Sequence, residues 1–156
     1  MNGSTAATLS LLLAVAGCKA TPPGKFERSV VAEVKRRFTV GGRSDQNPEA
    51  ATAENVRRGR KAFAAYCTAC HGLDGQNTGV PFAEAMSPPV PRLSAPEVQR
   101  YTDGQLHWII RNGLFPSGMP ASRGLLSDEE VWWIVIYIRH LPPAGSLGEP
   151  AMYGAR

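Results

Sequence analysis

Cys67-Thr68-Ala69-Cys70-His71 constrains this chain more than any other stretch of it. On a helix the two cysteines stand one turn apart and the histidine follows at once, so two thiols and an imidazole leave the backbone within five residues. A thioredoxin-like C-x-x-C wants a βαβ setting, and no such alternation surrounds it. A structural zinc ion wants four ligands. After Cys67, Cys70 and His71 the fourth would have to be His107 or His140, and neither lies in a zinc-like knuckle. A disulfide across only two intervening residues would be strained.

Haem attachment satisfies all three side chains. The thiols of Cys67 and Cys70 can add across the two vinyl groups of a porphyrin to form thioethers, and His71 then falls under the iron as an axial ligand. Two covalent bonds and one coordination bond set the ring at a fixed angle to the helix. A second axial ligand should come from the carboxyl side, where Met86 and Met119 are the candidates. Met119 lies in Ser117-Gly118-Met119-Pro120, 48 residues after His71 and between two capped helical patterns. Gly118 permits close backbone approach and Pro120 stiffens the loop. Met86 stands only 15 residues after His71, in a stretch that must first round the ring edge. Met119 is therefore favoured, with core filling the alternative for either residue. His107 and His140 read as surface or dipole-complementing residues, and a bis-histidine site is the remaining option.

The rest of the composition narrows the setting. A chain of 156 residues is one domain's worth, and 43% hydrophobic with 19% charged residues supports a packed core. The net charge is +4, but no dense Lys/Arg tract with interleaved aromatics argues for nucleic acid. Three cysteines exclude a disulfide framework. No apolar run approaches the ~20 residues that a spanning helix needs. Residues 18–66 hold 11 Lys/Arg against 5 Asp/Glu, whereas residues 67–156 hold 6 against 8, so the leading segment is basic and the remainder mildly acidic.

Periodicity predicts helices and long loops with little strand. One helix should span about residues 53–69, capped by Thr52, with Val56, Gly59, Phe63, Tyr66 and Cys70 on one face. Residues 72–100, rich in Gly and Pro, should be irregular. A second helix is expected over 103–112, opened by the capping box Thr102/Gln105 and closed by Gly113. A third should start at Ser127 with Glu130 and stop before Pro142-Pro143; its apolar middle reads as a buried helix because both ends carry caps. Further upstream, Phe26, Val30, Val31, Val34 and Phe38 repeat with helical period among basic residues. That segment could lie on the domain or on an anionic membrane surface.

With these motifs in view, the chain resembles a small bacterial class I c-type cytochrome. The resemblance covers about residues 52–142 and rests on CTACHG, on RNG followed by SGMP, and on the aromatic-rich last helix. It implies an all-α fold, three to four short helices wrapped around one covalently bound haem c. It implies that Gly59 and Phe63 cross the last helix at Tyr137 and Ile134. It also implies that a proline carbonyl, from Pro91 or Pro89, holds the other nitrogen of His71. Leu106, Ile110 and Trp132 would keep the pocket dry. A histidine–methionine pair closes both faces of the iron and suits one-electron transfer, with no small-molecule substrate.

The amino terminus reads as an address. Residues 9–16 are a short apolar stretch, and Val15-Ala16-Gly17-Cys18 looks like a bacterial lipobox, although residues 1–8 lack the expected Lys or Arg. The alternative is an ordinary cleaved signal with a stray cysteine, or a misassigned start. The expected organisation is a signal at 1–17 with lipid on Cys18, a basic arm at 18–51, the haem domain at 52–142 and a tail at 143–156. The expected role is a membrane-anchored periplasmic carrier that takes electrons from one redox protein and gives them to another. A fixed subunit of a respiratory or dehydrogenase complex, or an open-site haem enzyme or gas sensor, are the alternatives.

Overall fold

The computed structural model describes residues 24, 26, 30, 33–34, 40, 43–115 and 117–154. The expected signal segment, Cys18 and most of the basic arm lie outside the described residues. Within that arm Phe26, Val30, Glu33 and Val34 are helical, and the three apolar side chains are exposed rather than packed on the domain.

Five helices carry the described domain: α1 (Ala53–Tyr66), α2 (Thr68–His71), α3 (Pro96–Gln99), α4 (Asp103–Asn112) and α5 (Asp128–Arg139). Among the described residues there is no strand, only isolated bridges between Leu114 and Met119 and between Arg123 and Leu126. None of the described helices is long and apolar enough to cross a membrane. Among the described residues the fold is all-α, as the family resemblance implied.

Local chemistry sets each boundary. Thr52 caps α1 by accepting from the Asn55 N–H at 3.1 Å. Both expected capping boxes form, Thr102 with Gln105 ahead of α4 and Ser127 with Glu130 ahead of α5. The expected helix over 53–69 divides in two. Cys67 leaves ideal helical geometry (φ −112°), and the Thr68 hydroxyl donates to the Ala64 carbonyl at 3.0 Å, taking an acceptor from the backbone ladder. Cys67 therefore caps a separate turn, α2, and Cys70 lies within it. The helix α3 falls within the Gly/Pro-rich stretch expected to be irregular; Pro96 occupies its first turn, where a missing N–H is harmless.

The core forms where α5 crosses α1 and packs on α4. Val131, Ile134, Val135, Tyr137 and Ile138 of α5 are buried with Phe63, Leu106 and Ile110. Each such side chain contributes about 1.5–3 kcal/mol by leaving water. The crossing is close because position 59 has no side chain: a Cβ there would stand 2.0 Å from the Trp133 carbonyl oxygen. The Phe63 and Tyr137 rings then meet with centroids 5.2 Å apart, as the family resemblance implied. At the far end of α5 the Arg139 guanidinium bonds to Asp103 at 2.8 Å and to the Gln99 carbonyl at 3.0 Å, tying α5 to α3 and α4.

Gly59→Ala should separate α1 from α5 and destabilise the domain by about 3 kcal/mol. Urea unfolding of the haem-loaded protein checks this, and an unchanged midpoint would contradict the crossing described here.

Candidate functional site

The site is built from the turn that follows α1. The Cys67 N–H bonds to the Phe63 carbonyl at 2.8 Å, and the His71 N–H to the Cys67 carbonyl at 3.0 Å, so α2 continues the rigid end of α1. Cys67 and Cys70 are not joined to each other. Burial, and secondarily Cys70, pushes the Cys67 thiol up to about 12. The Phe63 ring packs 6.4 Å from the His71 imidazole, centroid to centroid.

Burial pushes the pKa of His71 down, and the carbonyl of Pro91 acts in the opposite direction. The His71 Nδ1 is buried and has no hydrogen-bond partner among the described residues. The imidazole is held neutral, the form in which it ligates a metal.

Haem c fits these residues. A neutral, buried Cys67 thiol suits a thioether rather than a zinc thiolate. Among the described residues no three His, Cys, Asp or Glu side chains converge to hold a metal ion by themselves. The histidines considered as extra ligands have other partners. His107 Nε2 lies 3.0 Å from Asp128 Oδ1, and its ring stacks on Trp132 with centroids 4.0 Å apart. His140 Nδ1 lies 2.8 Å from the Ile136 carbonyl oxygen.

The loop carrying Met119 is shaped by Gly113, the glycine of the RNG motif. Its φ of +73° is left-handed, and a Cβ there would lie 2.6 Å from the Met119 carbonyl oxygen. The Leu114 N–H bonds to that same carbonyl at 3.1 Å. Met119 is half-buried and packs against the core that contains Leu106, Ile110 and Trp132. Met86 reaches the same loop: a Cβ at Gly118 would stand 3.4 Å from its methyl group. Both thioethers considered from sequence thus gather at one place. Trp132 is buried in this core, but its polar and ring partners are Asp128 and His107.

Sequence reasoning missed the loop after His71. Asp74 is completely buried, and its carboxylate accepts from Thr78 Oγ1 at 2.6 Å, the Gly145 N–H at 2.7 Å and the Gln76 N–H at 2.9 Å. Burial pushes its pKa up, but these hydrogen bonds outweigh that and hold it below the ordinary 3.8. The tail joins in: Tyr153 donates its hydroxyl to the Ala69 carbonyl at 2.8 Å, inside the C-x-x-C-H turn. The one signal available was the Asp74-Gly75 pair, which reads as a turn, not as a buried anchor.

Asp74→Asn should destabilise the protein by about 1–3 kcal/mol at neutral pH. A carboxylate with a depressed pKa contributes fully above its unfolded value and loses that contribution as pH falls through its lower folded value. The gap between parent and variant should therefore narrow as pH is lowered below 3.8. Denaturant midpoints measured along that pH series check it; a gap independent of pH would refute the assignment.

Comparison with known proteins follows the same lines. The family described as cytochrome C oxidase, cbb3-type, subunit III, matches residues 54–138. No curated protein sequence matches. Among solved structures, a chain of the Kuenenia stuttgartiensis reducing HAO-like protein complex is similar at 19% identity and TM-score 0.49, over 69% of this chain and 53% of that one. Cytochrome CL from the marine methylotrophic bacterium Methylophaga aminisulfidivorans is similar at 19% identity and TM-score 0.45, over 70% of this chain and 66% of that one. The chain thus spans about half the length of the former and just under two thirds of the latter.

Proposed function

Because this chain belongs to the family described as cytochrome C oxidase, cbb3-type, subunit III, we propose that it passes single electrons between two redox proteins at the periplasmic face of a bacterial membrane. Its nature as a haem c electron-transfer protein follows from the family. The residue roles, the anchor and the location are our reading. The observation that carries the reading is the C-x-x-C-H turn at the carboxyl end of α1, with His71 beside the buried Phe63 ring.

Bound haem supplies a one-electron Fe(III)/Fe(II) couple. Cys67 and Cys70 would tether it covalently, and His71 would supply a neutral imidazole ligand. Met119 supplies a soft neutral thioether that favours the reduced state relative to a second imidazole. Leu106, Ile110 and Trp132, buried in the cluster against which Met119 packs, would keep water from the site and sharpen its electrostatics. His71 and Met119 together would leave the iron no open position for a small-molecule substrate.

The lipobox-like Val15-Ala16-Gly17-Cys18 supports a lipid on Cys18, which would confine the carrier to a membrane surface and raise its concentration near partners. The haem domain would then be residues 52–142, set off from the anchor by the basic arm at 18–51. The family's own description as an oxidase subunit favours a second reading, a fixed subunit whose segment 25–51 docks on a larger complex. Co-purification from detergent extracts separates a free carrier from a subunit.

Met119→Ala should retain covalent haem, lose the weak red sulfur-to-iron band and lower the midpoint potential. An unchanged band and potential would remove Met119 from the iron, and rapid carbon monoxide binding to the reduced parent protein would favour an open-site enzyme or sensor. Cys18→Ala should release the protein from membrane fractions; continued retention would point to docking through protein.

A further inference from the structure

The basic arm changes character at Val40. From there to Glu49 it is strapped across α4 and α5. Val40 is 1% exposed, and its carbonyl accepts from Arg43 Nε at 3.2 Å. The Arg43 guanidinium lies over the Trp108 ring, 5.2 Å from its centroid, and the Arg43 carbonyl accepts from the Thr102 hydroxyl. The Asp45 carbonyl accepts from the Gly104 N–H at 3.0 Å. Asn47 Nδ2 donates to the Trp132 carbonyl at 3.1 Å, and Trp133 Nε1 donates to Glu49 Oε2 at 3.1 Å. Both helices hold the strap, so it moves with the haem domain.

Upstream of the strap the apolar side chains face the other way. Phe26, Val30 and Val34 lie on helical backbone four residues apart, which puts them on one stripe. They are 84%, 46% and 48% exposed. Residues 25–37 hold five Lys/Arg against two Glu, a net +3, whereas residues 67–156 are net −2. An exposed apolar stripe in a cationic helical segment matches a helix that lies in the interface of an anionic bilayer. The haem domain is not its cover, since Val40 packs there and the stripe does not.

We propose that Phe26, Val30 and Val34 form a membrane-contacting surface that inserts among anionic phospholipid headgroups, and that the strap at 40–49 holds the haem domain against that surface. The proposal deepens the reading that places this chain at a membrane, and it is independent of lipid on Cys18. Val34 and Val40 are six residues apart, so the stripe stands no more than about 22 Å from the strap. That reach is shorter than the ~30 Å hydrocarbon thickness of a bilayer, so the domain stays beside the membrane instead of swinging free on a long tether. Electron exchange is then confined to partners at the same surface.

The test uses haem-loaded protein exported behind a cleavable signal that replaces residues 1–18, so that no acyl chain is present. Co-sedimentation is measured with vesicles of phosphatidylcholine alone and of phosphatidylcholine mixed with phosphatidylglycerol. The parent should bind the mixed vesicles, release them as salt is raised, and bind the neutral vesicles far less. Phe26→Ser with Val30→Ser and Val34→Ser should lower binding to the mixed vesicles by about tenfold or more, with an unchanged haem spectrum. Lys35→Gln with Arg36→Gln and Arg37→Gln should lower it on the mixed vesicles alone. Parental binding by the serine variant, or no binding by the parent, would overturn the proposal; the latter would leave docking on a protein complex as the role of this segment. Loss of membrane retention in Cys18→Ala cells bears on the lipid anchor, and absence of haem bears on the electron-transfer reading, so each failure is separately visible.

Discussion

The close crossing of α1 over α5 at Gly59 supports everything else in the domain. A missing side chain lets the backbone of one helix touch the Trp133 carbonyl of the other. That approach brings Phe63 onto Tyr137 on one side and toward His71 on the other. The attachment turn begins at the carboxyl end of the same helix, so the angle of the crossing also fixes where Cys67, Cys70 and His71 point. Phe63 is both a core residue and a wall beside the candidate ligand, and packing and function cannot be separated at that position.

On the opposite side the order comes from hydrogen bonds rather than apolar packing. The loop after His71 carries glycine and polar residues that cannot build a core, yet it must hold still beside the imidazole. Asp74 does this by spending a buried carboxylate on three donors, one of them from the tail. Tyr137 donates its hydroxyl to the Leu73 carbonyl at 3.2 Å, and Gln76 donates its side-chain amide to the Pro142 carbonyl at 2.7 Å. The last helix and the tail thus close over the loop. An ionised, satisfied carboxylate is a stiff anchor, because removing any donor leaves a buried charge short of partners. The His71 side of the site is therefore ordered by polar contacts rather than by apolar packing.

Much of this was legible in the sequence, element by element. The capping boxes at Thr102 and Ser127 marked the starts of α4 and α5 because capping is decided within three residues of the chain. Gly59, Phe63 and Tyr137 were placed correctly only through family resemblance, since nothing local announces which faces will meet. The break at Cys67 was not legible: it depends on a hydroxyl at Thr68 competing for a carbonyl four residues back. His107 read as a surface residue, but it stacks on Trp132 and pairs with Asp128 from another helix.

The sequence by itself determined the chemistry, because C-x-x-C-H puts its reactive atoms within a single helical turn and needs no distant contact to do so. It also determined the starts of α1, α4 and α5 and the glycine that closes α4, Gly113. Only the tertiary structure decided that Met86 and Met119 reach the same loop, that Asn77 and Tyr153 bond to the C-x-x-C-H turn, and that Asp74 anchors the loop after it. Those relations join residues distant along the chain, and their free energy depends on which surfaces the helix crossing has already brought together. Local patterns carry no record of that.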